Sequence, residues 1–586
     1  EVPFLNGGLF ECLDKTKVVD GVCITSYNFD GFSQNTSRLA DGVYKYRAIV
    51  PNALFFTPEK GLFSILNRYN FTIEENTPNE QQIALDPELL GKVFENLLGA
   101  YNPETKETAR NMSGSFYTPR EIVGFMVDES LIAYLGDNDF NRSLFASNFK
   151  YDENFEERYL ATANKLKAVK VLDPACGSGA FPMGLLNRIV DVLQRILPEE
   201  KSYDLKLSII ENCLYGCDIQ SIASQITKLR FFISLICDCE KDPSKPNFGI
   251  PTLPNLETKF VTADSLHTVK RRKQGNLFED PEIEITKQKL KQVRRLHFEA
   301  KSAKTKRDLR NEDHLLRSNL VKLLAENNDF APEDACQLAS WNPYDQNSVS
   351  SFFDPEWMFG LTDGFDIVIG NPPYIQLQNN AGKLANLYEK SGYRTFERKG
   401  DIYCLFYERG HQAGGHLCFI TSNKWMRAGY GKKTRDFLAK NTNPILLIDF
   451  AGVKVFDSAT VDTNILLFSQ EPNQHKTLCT CASKQDKNSI KNLSVFVQQN
   501  AVSNNFATSD SWVILSPIER SIKRKIESIG TPLKDWDIQI NYGIKTGSNE
   551  AFIISTEKRN EILANCANEA ERQRTAELIR PILRGR

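Results

Sequence analysis

The chain has no long hydrophobic run, almost no net charge and no cysteine pattern typical of disulfides, and each shortage excludes a class of protein. No stretch of about 18 apolar residues occurs, which argues against a membrane-spanning helix. Because 72 Lys and Arg nearly balance 74 Asp and Glu, a polyanion would have to be held by local patches. The 13 cysteines are scattered, and two Cys-x-Cys pairs lack further ligands at metal spacing. We therefore expect a cytoplasmic protein of several domains without a metal site.

From residue 168 onward, short apolar segments alternate with amphipathic helical patterns. The sequence predicts strands at 169–172, 213–217, 260–262 and 366–370, with further strands at 417–421, 446–450 and 465–468. A glycine-rich turn and a helix follow the first strand, and a helix also follows the second. This order predicts an α/β fold with a doubly wound, Rossmann-like parallel sheet that binds ligands at the carboxyl edge of its strands.

Glycines and acids mark the ends of the first three strands. Gly177 and Gly179 allow the backbone of the first loop to approach a ligand, and the N-terminus of the next helix suits a carboxylate. The loop lacks the G-x-G-x-x-G pattern of dinucleotide binding, so an amino-acid carboxylate fits better than a pyrophosphate. Asp218 and Asp264, which end the second and third strands, are placed to accept from ribose hydroxyls and from an adenine amine.

The fourth strand ends in Asn371-Pro372-Pro373-Tyr374. Two prolines make a rigid turn and donate no backbone hydrogen bond, so their carbonyls remain acceptors. Asn371 adds a side-chain carbonyl and Tyr374 adds a flat ring, so the motif can accept from the NH₂ of a planar amine and stack on its ring. That arrangement suits methyl transfer to an exocyclic amine. Taken alone, the motif is equally compatible with a proline-stiffened turn after a buried strand.

The order of these motifs resembles the gamma group of DNA amino-methyltransferases. The resemblance is carried by DPACGSGAF at 173–181, by Asp218, by Ala263-Asp264-Ser265-Leu266 and by the NPPY motif. The whole chain is similar to the methyltransferase region of single-chain type IIG (Eco57I-like) restriction–modification enzymes. The resemblance implies a class I methyltransferase sheet in a prokaryotic, cytoplasmic enzyme. Its expected reaction is transfer of a methyl group to the N6 amine of adenine in a specific sequence of double-stranded DNA.

The resemblance also implies two sets of functional residues. The set expected to bind S-adenosylmethionine is Thr118, Asp173, Ala175, Gly177, Gly179, Asp218 and Asp264. The catalytic set is Asn371, Pro372, Pro373 and Tyr374. Asn371 and the carbonyl of Pro372 would accept from the amine of a flipped-out adenine, and Tyr374 would stack on the base. No metal is expected for methyl transfer, because the leaving sulfonium already carries the charge.

Three other functions remain open at this point. A phage-defence adenine methyltransferase of the BREX type is similar in sequence and has no nuclease of its own. A protein glutamine methyltransferase presents the same amine-binding problem, although the long basic insertion and the segment 540–586 argue against such a compact enzyme. A DNA-binding scaffold with an inactive site is disfavoured by the intact strand-end motifs.

Five regions are expected. They are a mostly helical N-terminal connector at 1–110, the cofactor half of the methyltransferase core at 111–266, a charged helical insertion at 267–340, the catalytic half at 341–500, and a linker with the start of a truncated target-recognition domain at 501–586. Within the last region, residues 541–554 resemble the entry to that domain. We therefore expect this chain to be an internal piece of a longer protein.

The insertion is locally basic. Between His267 and Glu326 it carries 16 Lys and Arg against 9 Asp and Glu. Its apolar positions predict a helical hairpin with one buried seam formed by Leu290, Val293, Leu296, Leu315, Leu316, Leu320, Leu323 and Leu324. The hairpin is equally compatible with a solvated helix pair and with an arm that contacts DNA phosphates.

Several further positions are weaker candidates. The E-x-K matches at Glu257–Lys259 and Glu299–Lys301 are predicted to be surface pairs rather than a nuclease centre. Trp425, Arg427 and the segment 432–435 are candidates for DNA contact, and Phe456 for the base pocket, although each is more often an ordinary core or surface residue. Thr118 and Glu121 are predicted to form a capping box around Pro119.

Overall fold

The computed structural model describes most of the chain after Thr118, namely residues 118–270, 281–327, 330–345, 348–456, 461–483, 489–539 and 552–581, with residues 272 and 486 and short stretches between 15 and 108. The chain divides into two compact units, Glu1–Ser516 and Pro517–Arg586. Among the described residues, no helix is both long and apolar enough to cross a bilayer.

The described stretches of residues 1–110 form short strands and two one-turn helices. These elements are β1 (Lys15–Val19), β2 (Val22–Tyr27), α1 (Ala53–Phe56), α2 (Leu62–Leu66), β3 (Asn70–Thr72), β4 (Gln82–Ala84), β5 (Tyr101–Asn102) and β6 (Glu107–Thr108). β1 pairs with β2 and β5 with β6 in antiparallel fashion, whereas β3 and β4 are parallel. The expectation of mostly helical structure is therefore not met in these stretches, because β-branched runs such as KTKVV favour strands. The segment 86–98, whose Asp-Pro-Glu start and apolar spacing predict a helix, lies outside the described residues.

Nine strands of the first unit, counted over its described residues, form one sheet. They are β7 (Val171–Asp173), β8 (Leu214–Asp218), β9 (Phe260–Thr262), β10 (Phe365–Gly370), β11 (Gly414–Ser422), β12 (Asn443–Asp449), β13 (Thr463–Ser469), β14 (Thr477–Cys481) and β15 (Val502–Asn504). Their spatial order is β9-β8-β7-β10-β11-β13-β12-β14-β15. β13 and β15 run against their neighbours, and the other adjacent pairs are parallel. The predicted doubly wound α/β sheet is confirmed, and all seven predicted strands are present.

The strand order reverses between β7 and β10. From β7 the chain moves outward to β8 and β9 and then returns to place β10 on the other side of β7. In open α/β sheets a ligand crevice lies outside the carboxyl ends of the strands at such a reversal. The loop after Asp173 and the motif after Gly370 therefore meet at one crevice.

Helices cover both faces of this sheet. They are α3 (Arg120–Leu135), α4 (Asp139–Leu144), α5 (Glu156–Ala168), α6 (Ala180–Ile196), α7 (Ser202–Asn212), α8 (Ser221–Cys237), α9 (Pro281–Glu299), α10 (Ala303–Glu326), α11 (Pro332–Ser340), α12 (Pro355–Phe359), α13 (Asn379–Tyr388), α14 (Tyr403–Ala413), α15 (Lys432–Asn441) and α16 (Leu493–Asn500). Two apolar cores result. One contains α3 and α6, and the other contains α14 together with residues of the insertion. Because both faces are covered, β10 and β11 read as near-continuous apolar runs.

The predicted hairpin in the insertion is confirmed as α9 and α10. Leu290, Val293, Leu320 and Leu324 form its buried seam. The prediction is wrong for Leu296 and Leu315, which are 48% and 68% exposed. Leu316, also predicted, does pack against the core, since neighbouring positions of a helix point in different directions.

A buried ion cluster ties the hairpin to the rest of the first unit. Asp313 on α10 is fully buried and accepts from Arg294 at 2.9 Å and from Arg317 at 2.6 Å. Arg294 also donates to the carbonyl oxygens of Trp357 and Met358, at 2.8 and 3.1 Å. Part of the positive charge of the insertion is therefore paired inside the first unit and holds the hairpin in place.

The second unit consists of three helices over its described residues. They are α17 (Pro517–Ile529), α18 (Thr556–Ala564) and α19 (Glu569–Leu578), and the last two pack on each other. Most of the segment 541–554, which resembles the entry to a target-recognition domain, lies outside the described residues. The proposed domain limits therefore remain predictions.

Candidate functional site

The ends of β7 and β10 come into close contact at the crevice. Asp173 ends β7, is 1% exposed and accepts from the backbone N–H of Ala175 at 3.1 Å. A side-chain carbon added to Gly370, the last residue of β10, would lie 2.7 Å from the Asp173 carboxylate. Glycine is therefore needed immediately before Asn371, a requirement that sequence reasoning missed.

The glycine loop wraps the carboxylate that ends β8. Gly177 N donates to Asp218 Oδ2 at 2.9 Å, and Gln220 N donates to Oδ1 at 2.8 Å. Burial raises the pKa of Asp218, and these two backbone bonds act against that rise. Gly179 has φ 82°, and a side-chain carbon there would lie 2.7 Å from Thr227. The loop therefore passes close to α8, as only glycine permits at this position.

Two side chains of α8 fix the carbonyls of the same loop. Thr227 donates from Oγ1 to the carbonyl of Gly177 at 3.0 Å, and Arg230 donates from Nη1 to the carbonyl of Ser178 at 2.7 Å. Arg230 is 1% exposed. Sequence reasoning missed both residues, although a charged residue inside the apolar run of α8 was a usable signal.

Asp264, which follows β9, is held by a tyrosine from a distant helix. The hydroxyl of Tyr388, at the end of α13, donates to both carboxylate oxygens at 3.2 and 3.0 Å. The backbone N–H of Leu266 donates to Oδ1 at 3.0 Å. Tyr388 is 3% exposed, and burial followed by the charge of Asp264 raises its pKa. The sequence offered no sign that α13 would return to the end of β9.

Asn371 is hydrogen-bonded to Thr118, just before the start of α3. Its Nδ2 donates to Thr118 Oγ1 at 3.2 Å. The predicted capping box is wrong, because Pro119 occupies the N-cap position and α3 has no side-chain cap. The Thr118 hydroxyl meets the NPPY motif instead of Glu121. With Nδ2 donated to Thr118, Oδ1 is the acceptor end of this amide.

The Tyr374 ring is fixed from two sides. Its hydroxyl donates to the carbonyl of Ile420 in β11 at 3.2 Å. Edge-on contacts join it to Tyr403 and Phe456, with ring centroids 5.9 and 6.3 Å apart. Phe456, the candidate for the base pocket, therefore lies against the NPPY motif and is 2% exposed.

The carboxyl group of Asp401 lies close to the NPPY motif in the fold. Asp401 pairs with Gln376 in an antiparallel bridge, and Ile402 N donates to the carbonyl of Ile375 at 2.9 Å. Burial raises the pKa of Asp401 to about 7, although backbone N–H groups including that of Ile375 oppose the shift. The segment after NPPY is therefore fastened to the start of α14 through this residue.

The structure changes the candidates for DNA contact. Trp425 is fully buried, and its indole N–H donates to a side chain of β13 at 3.1 Å. Arg435 is 4% exposed and donates to three backbone carbonyls. These two candidates are wrong, because neither side chain reaches the surface. Arg427 is exposed but pairs at 3.0 Å with the carboxylate that ends β12, and the exposed Lys433 pairs with Glu397 at 3.3 Å. Lys432 is exposed as well.

The first E-x-K match is not a surface pair. Glu257 is 3% exposed and pairs with Arg310 of the hairpin at 3.3 Å. Lys259 donates to a backbone carbonyl at the end of α7 and lies over the ring of Tyr215. Both residues thus connect the sheet edge to its neighbours. Glu299 and Lys301 are exposed, as predicted.

Together these residues lie at the carboxyl edge of four adjacent strands, beside the rigid NPPY turn. The carboxylates at 173, 218 and 264 end three adjacent strands, and the glycine loop joins the first two. Among the described residues, no group of three or more His, Cys, Asp and Glu side chains could hold a metal ion. The crevice therefore offers hydrogen-bond acceptors and close backbone approach.

Comparison with known proteins identifies this part of the chain. Residues 85–242 match the family model of the N-6 DNA methylases, and residues 212–456 match the Eco57I restriction-modification methylase model. The two DNA methylase family models together cover residues 85–456. The resemblance to Eco57I-like methylases is thereby confirmed, and the two matches include every candidate site residue.

Three relatives extend this comparison. The putative type II restriction enzyme and methyltransferase RM.MjaORFECS2P of Methanocaldococcus jannaschii is 26% identical over 73% of this chain and 42% of its own length. The type II restriction enzyme and methyltransferase RM.Eco57I of Escherichia coli is 27% identical over 66% of this chain and 33% of its own. The adenine-specific methyltransferase BrxX of Escherichia coli is 26% identical over 50% and 24%. The methylase chain thus spans less than half the length of these relatives.

Proposed function

We propose that the chain transfers a methyl group from S-adenosylmethionine to the N6 amine of adenine in double-stranded DNA, as part of a type IIG restriction–modification system. The Asn371–Thr118 bond is the observation that carries this proposal. It directs the acceptor end of the Asn371 amide while Gly370 sits against Asp173, so amine-binding and cofactor-binding residues are neighbours.

The residues of the crevice fit the cofactor. The backbone of the loop at Gly177 and Gly179 would approach its methionine part beside the buried Asp173, with Ala175 and Thr118 as further contacts. Asp218 would accept from the ribose hydroxyls. Asp264 retains lone pairs for the adenine amine beyond those used by Tyr388, because a carboxylate has about four acceptor sites. When bound, S-adenosylmethionine supplies an electrophilic methyl group on a positively charged sulfur.

The NPPY residues would prepare the amine. Asn371 Oδ1 and the Pro372 carbonyl accept its two N–H groups, which keeps its lone pair out of the ring and directed at the methyl carbon. A new N–C bond then forms as the C–S bond breaks, and a proton leaves the methylated amine for solvent. No strong base is required, because that proton becomes acidic only after transfer. Catalysis therefore rests on positioning and on preorganised acceptors.

The target adenine must leave the duplex to reach this site. Pro373 stiffens the turn, and the Tyr374 ring, fixed by Ile420, Tyr403 and Phe456, offers a face for the extruded base. Stacking there offsets part of the few kcal/mol that extrusion costs. The exposed Lys432 would provide a contact for a DNA phosphate.

Similarity to BrxX favours a second candidate, a phage-defence adenine methyltransferase without its own nuclease. Both candidates use the same methylation chemistry. They differ in whether the full-length gene product cleaves unmethylated DNA in the presence of Mg²⁺. Cleavage favours type IIG, and methylation without cleavage favours the second candidate.

Methylation with labelled cofactor tests the proposed reaction. Unmethylated genomic DNA and a glutamine-containing peptide are incubated separately with the chain and labelled S-adenosylmethionine, and the DNA is digested to nucleosides. N6-methyladenine in the DNA arm is the expected product. Methylcytosine as the DNA product, or label in the peptide alone, would contradict the proposal.

A further inference from the structure

A cavity of about 370 Å³ lies at the edge of the sheet opposite the crevice. Four of its lining residues lie one to three positions before a strand: Lys170 before β7, Asn212 before β8, Lys259 before β9 and Thr362 before β10. These strands are parallel, so the cavity lies at their amino ends and the residues proposed for methyl transfer lie at their carboxyl ends. The cavity is therefore separate from the proposed active site.

One wall of the cavity is apolar. It is formed mainly by side chains of the hairpin and its neighbours, namely Leu290, Phe298, Leu320, Leu324, Phe330 and Trp357. A volume of about 370 Å³ is within the range of small-molecule sites, which are mostly apolar with a few convergent polar groups. This wall suits an organic body rather than a bare inorganic ion.

Two buried donors line the same cavity without an acceptor among the described residues. They are Nη2 of Arg294 and Nε1 of Trp357, on side chains that are 8% and 6% exposed. The other nitrogens of Arg294 are used by Asp313 and by two carbonyls, which fixes the guanidinium in place. A buried donor without an acceptor costs about 1–3 kcal/mol. Because neither nitrogen is open to solvent, an acceptor oxygen of a ligand would reach them only with a small shift of the lining.

Three lysines add positive charge near these donors. Burial, followed by repulsion from Lys170 and Lys291, lowers the pKa of Lys259 to about 8. Each carboxylate of the lining already has a partner. Glu356 pairs with Lys287 at 2.7 Å and Glu211 with Arg295 at 3.5 Å. Asp354 accepts from the backbone N–H of Trp357 at 2.8 Å, and Glu284 accepts from Gln288 at 2.7 Å. The lining thus carries six Lys and Arg against four Asp and Glu, which leaves a surplus of positive charge.

We propose that this cavity is a second ligand site, which binds a carboxylate or phosphate group carried on an apolar body. The anionic group lies among Arg294, Trp357 and the lysines, and the body lies against the wall of the hairpin. A nucleoside monophosphate and a medium-chain carboxylic acid both have this chemistry. Because the cavity joins α9, α10 and α12 to the sheet edge, its ligand stabilises the insertion against the core.

Calorimetric titration of the chain tests this site with three probes: AMP, octanoate and inorganic phosphate. Two variants alter the cavity without touching the proposed methyl-transfer residues. Lys291→Glu reverses one charge of the lining, and Thr362→Trp fills exposed lining space. Lys289→Glu is the matched control, since Lys289 is an exposed lysine of α9 outside the lining. Unchanged affinity for S-adenosylhomocysteine verifies the fold of each variant.

We expect AMP or octanoate to bind, and whichever binds identifies the source of the anionic group. Lys291→Glu and Thr362→Trp should each weaken that binding at least about tenfold, while Lys289→Glu retains it. The proposal is overturned if neither organic probe binds at about 5 mM. Inorganic phosphate binding as tightly as the organic probes would overturn it too, because the apolar wall would then contribute nothing. Equal effects of Lys291→Glu and Lys289→Glu would also contradict it.

Discussion

Nδ2 of Asn371 donates to Oγ1 of Thr118 at 3.2 Å, joining residues 253 positions apart in the chain. The bond links the turn after β10 to the residue that precedes α3. It selects one orientation of an amide whose two ends have opposite hydrogen-bonding character. The proposed role of Asn371 therefore depends on Thr118 as well as on its own side chain.

Replacing Thr118 tests this dependence. Thr118→Val keeps the shape and removes the hydroxyl, so at saturating cofactor we expect kcat to fall about tenfold, the cost of about 1.4 kcal/mol of lost positioning. Thr118→Ser keeps the hydroxyl and should retain most of the rate. Steady-state methylation of DNA measures both variants. An equal loss in the two would show that the hydroxyl does not orient Asn371.

Tyr388 is expected to act through Asp264 on the adenine end of the cofactor. Tyr388→Phe removes the donor that orients both carboxylate oxygens, so affinity for S-adenosylhomocysteine should fall about tenfold. Tyr393→Phe is the matched control, because its hydroxyl donates to the backbone carbonyl of Leu266 at 2.6 Å. Calorimetry should find nearly unchanged affinity in the control. Similar losses in both variants would point to general destabilisation instead.

Asp401 predicts a specific pH dependence of stability. The pKa of Asp401 in the native chain is about 7, above the ordinary value of 3.8. Between pH 3.8 and pH 7 its carboxyl group therefore loses the proton in the unfolded chain but keeps it in the native chain. Native stability therefore falls as pH rises through that window and levels off above pH 7. Asp401→Asn removes this loss and should be more stable than the parent at pH 8 by on the order of 2 kcal/mol.

Denaturant unfolding at pH 4, 6 and 8 measures this effect. The advantage of Asp401→Asn should shrink to about 0.5 kcal/mol or less at pH 4, close to the unfolded-state pKa of 3.8. Glu389→Gln provides an exposed control near the same segment, and its stability should change little at any pH. An advantage of Asp401→Asn that is independent of pH would contradict the assigned titration.

The buried ion cluster of the hairpin is expected to govern its stability. Burial tends to raise the pKa of Asp313, but Arg294 and Arg317 outweigh it and lower the pKa. Asp313→Asn leaves two buried guanidinium groups without their carboxylate, so the free energy of unfolding should fall by about 3–5 kcal/mol. Asp308→Asn, at an exposed position of the same helix, should change it by less than about 0.5 kcal/mol. Denaturant unfolding compares the two, and equal effects would contradict a structural role for the cluster.

The strand-end motifs could be predicted because their pattern is local. Apolar runs followed by Asp173, Asp218, Asp264 or Asn371 specify both a strand and the edge at which it ends. The residues that hold those side chains could not be predicted in the same way. Tyr388 reaches Asp264 over 124 positions and Arg230 reaches Ser178 over 52, so these contacts depend on how helices return to the sheet.

Buried charge explains most of the errors. Glu257 and Arg435 look like surface residues in the sequence, yet each is buried because distant partners or carbonyls satisfy it. The Thr118 prediction failed for a related reason. A capping box is a local pattern, but the hydroxyl found a better placed partner in the NPPY motif.

The methylation rate and cofactor affinity of Asn371→Ala test the central claim most directly. The variant loses the acceptor proposed for the adenine amine and leaves the residues of the cofactor loop in place. We predict that single-turnover methylation falls by about 1,000-fold or more, while affinity for S-adenosylhomocysteine stays within about threefold of the parent. A variant that keeps its rate within about tenfold of the parent would contradict the account.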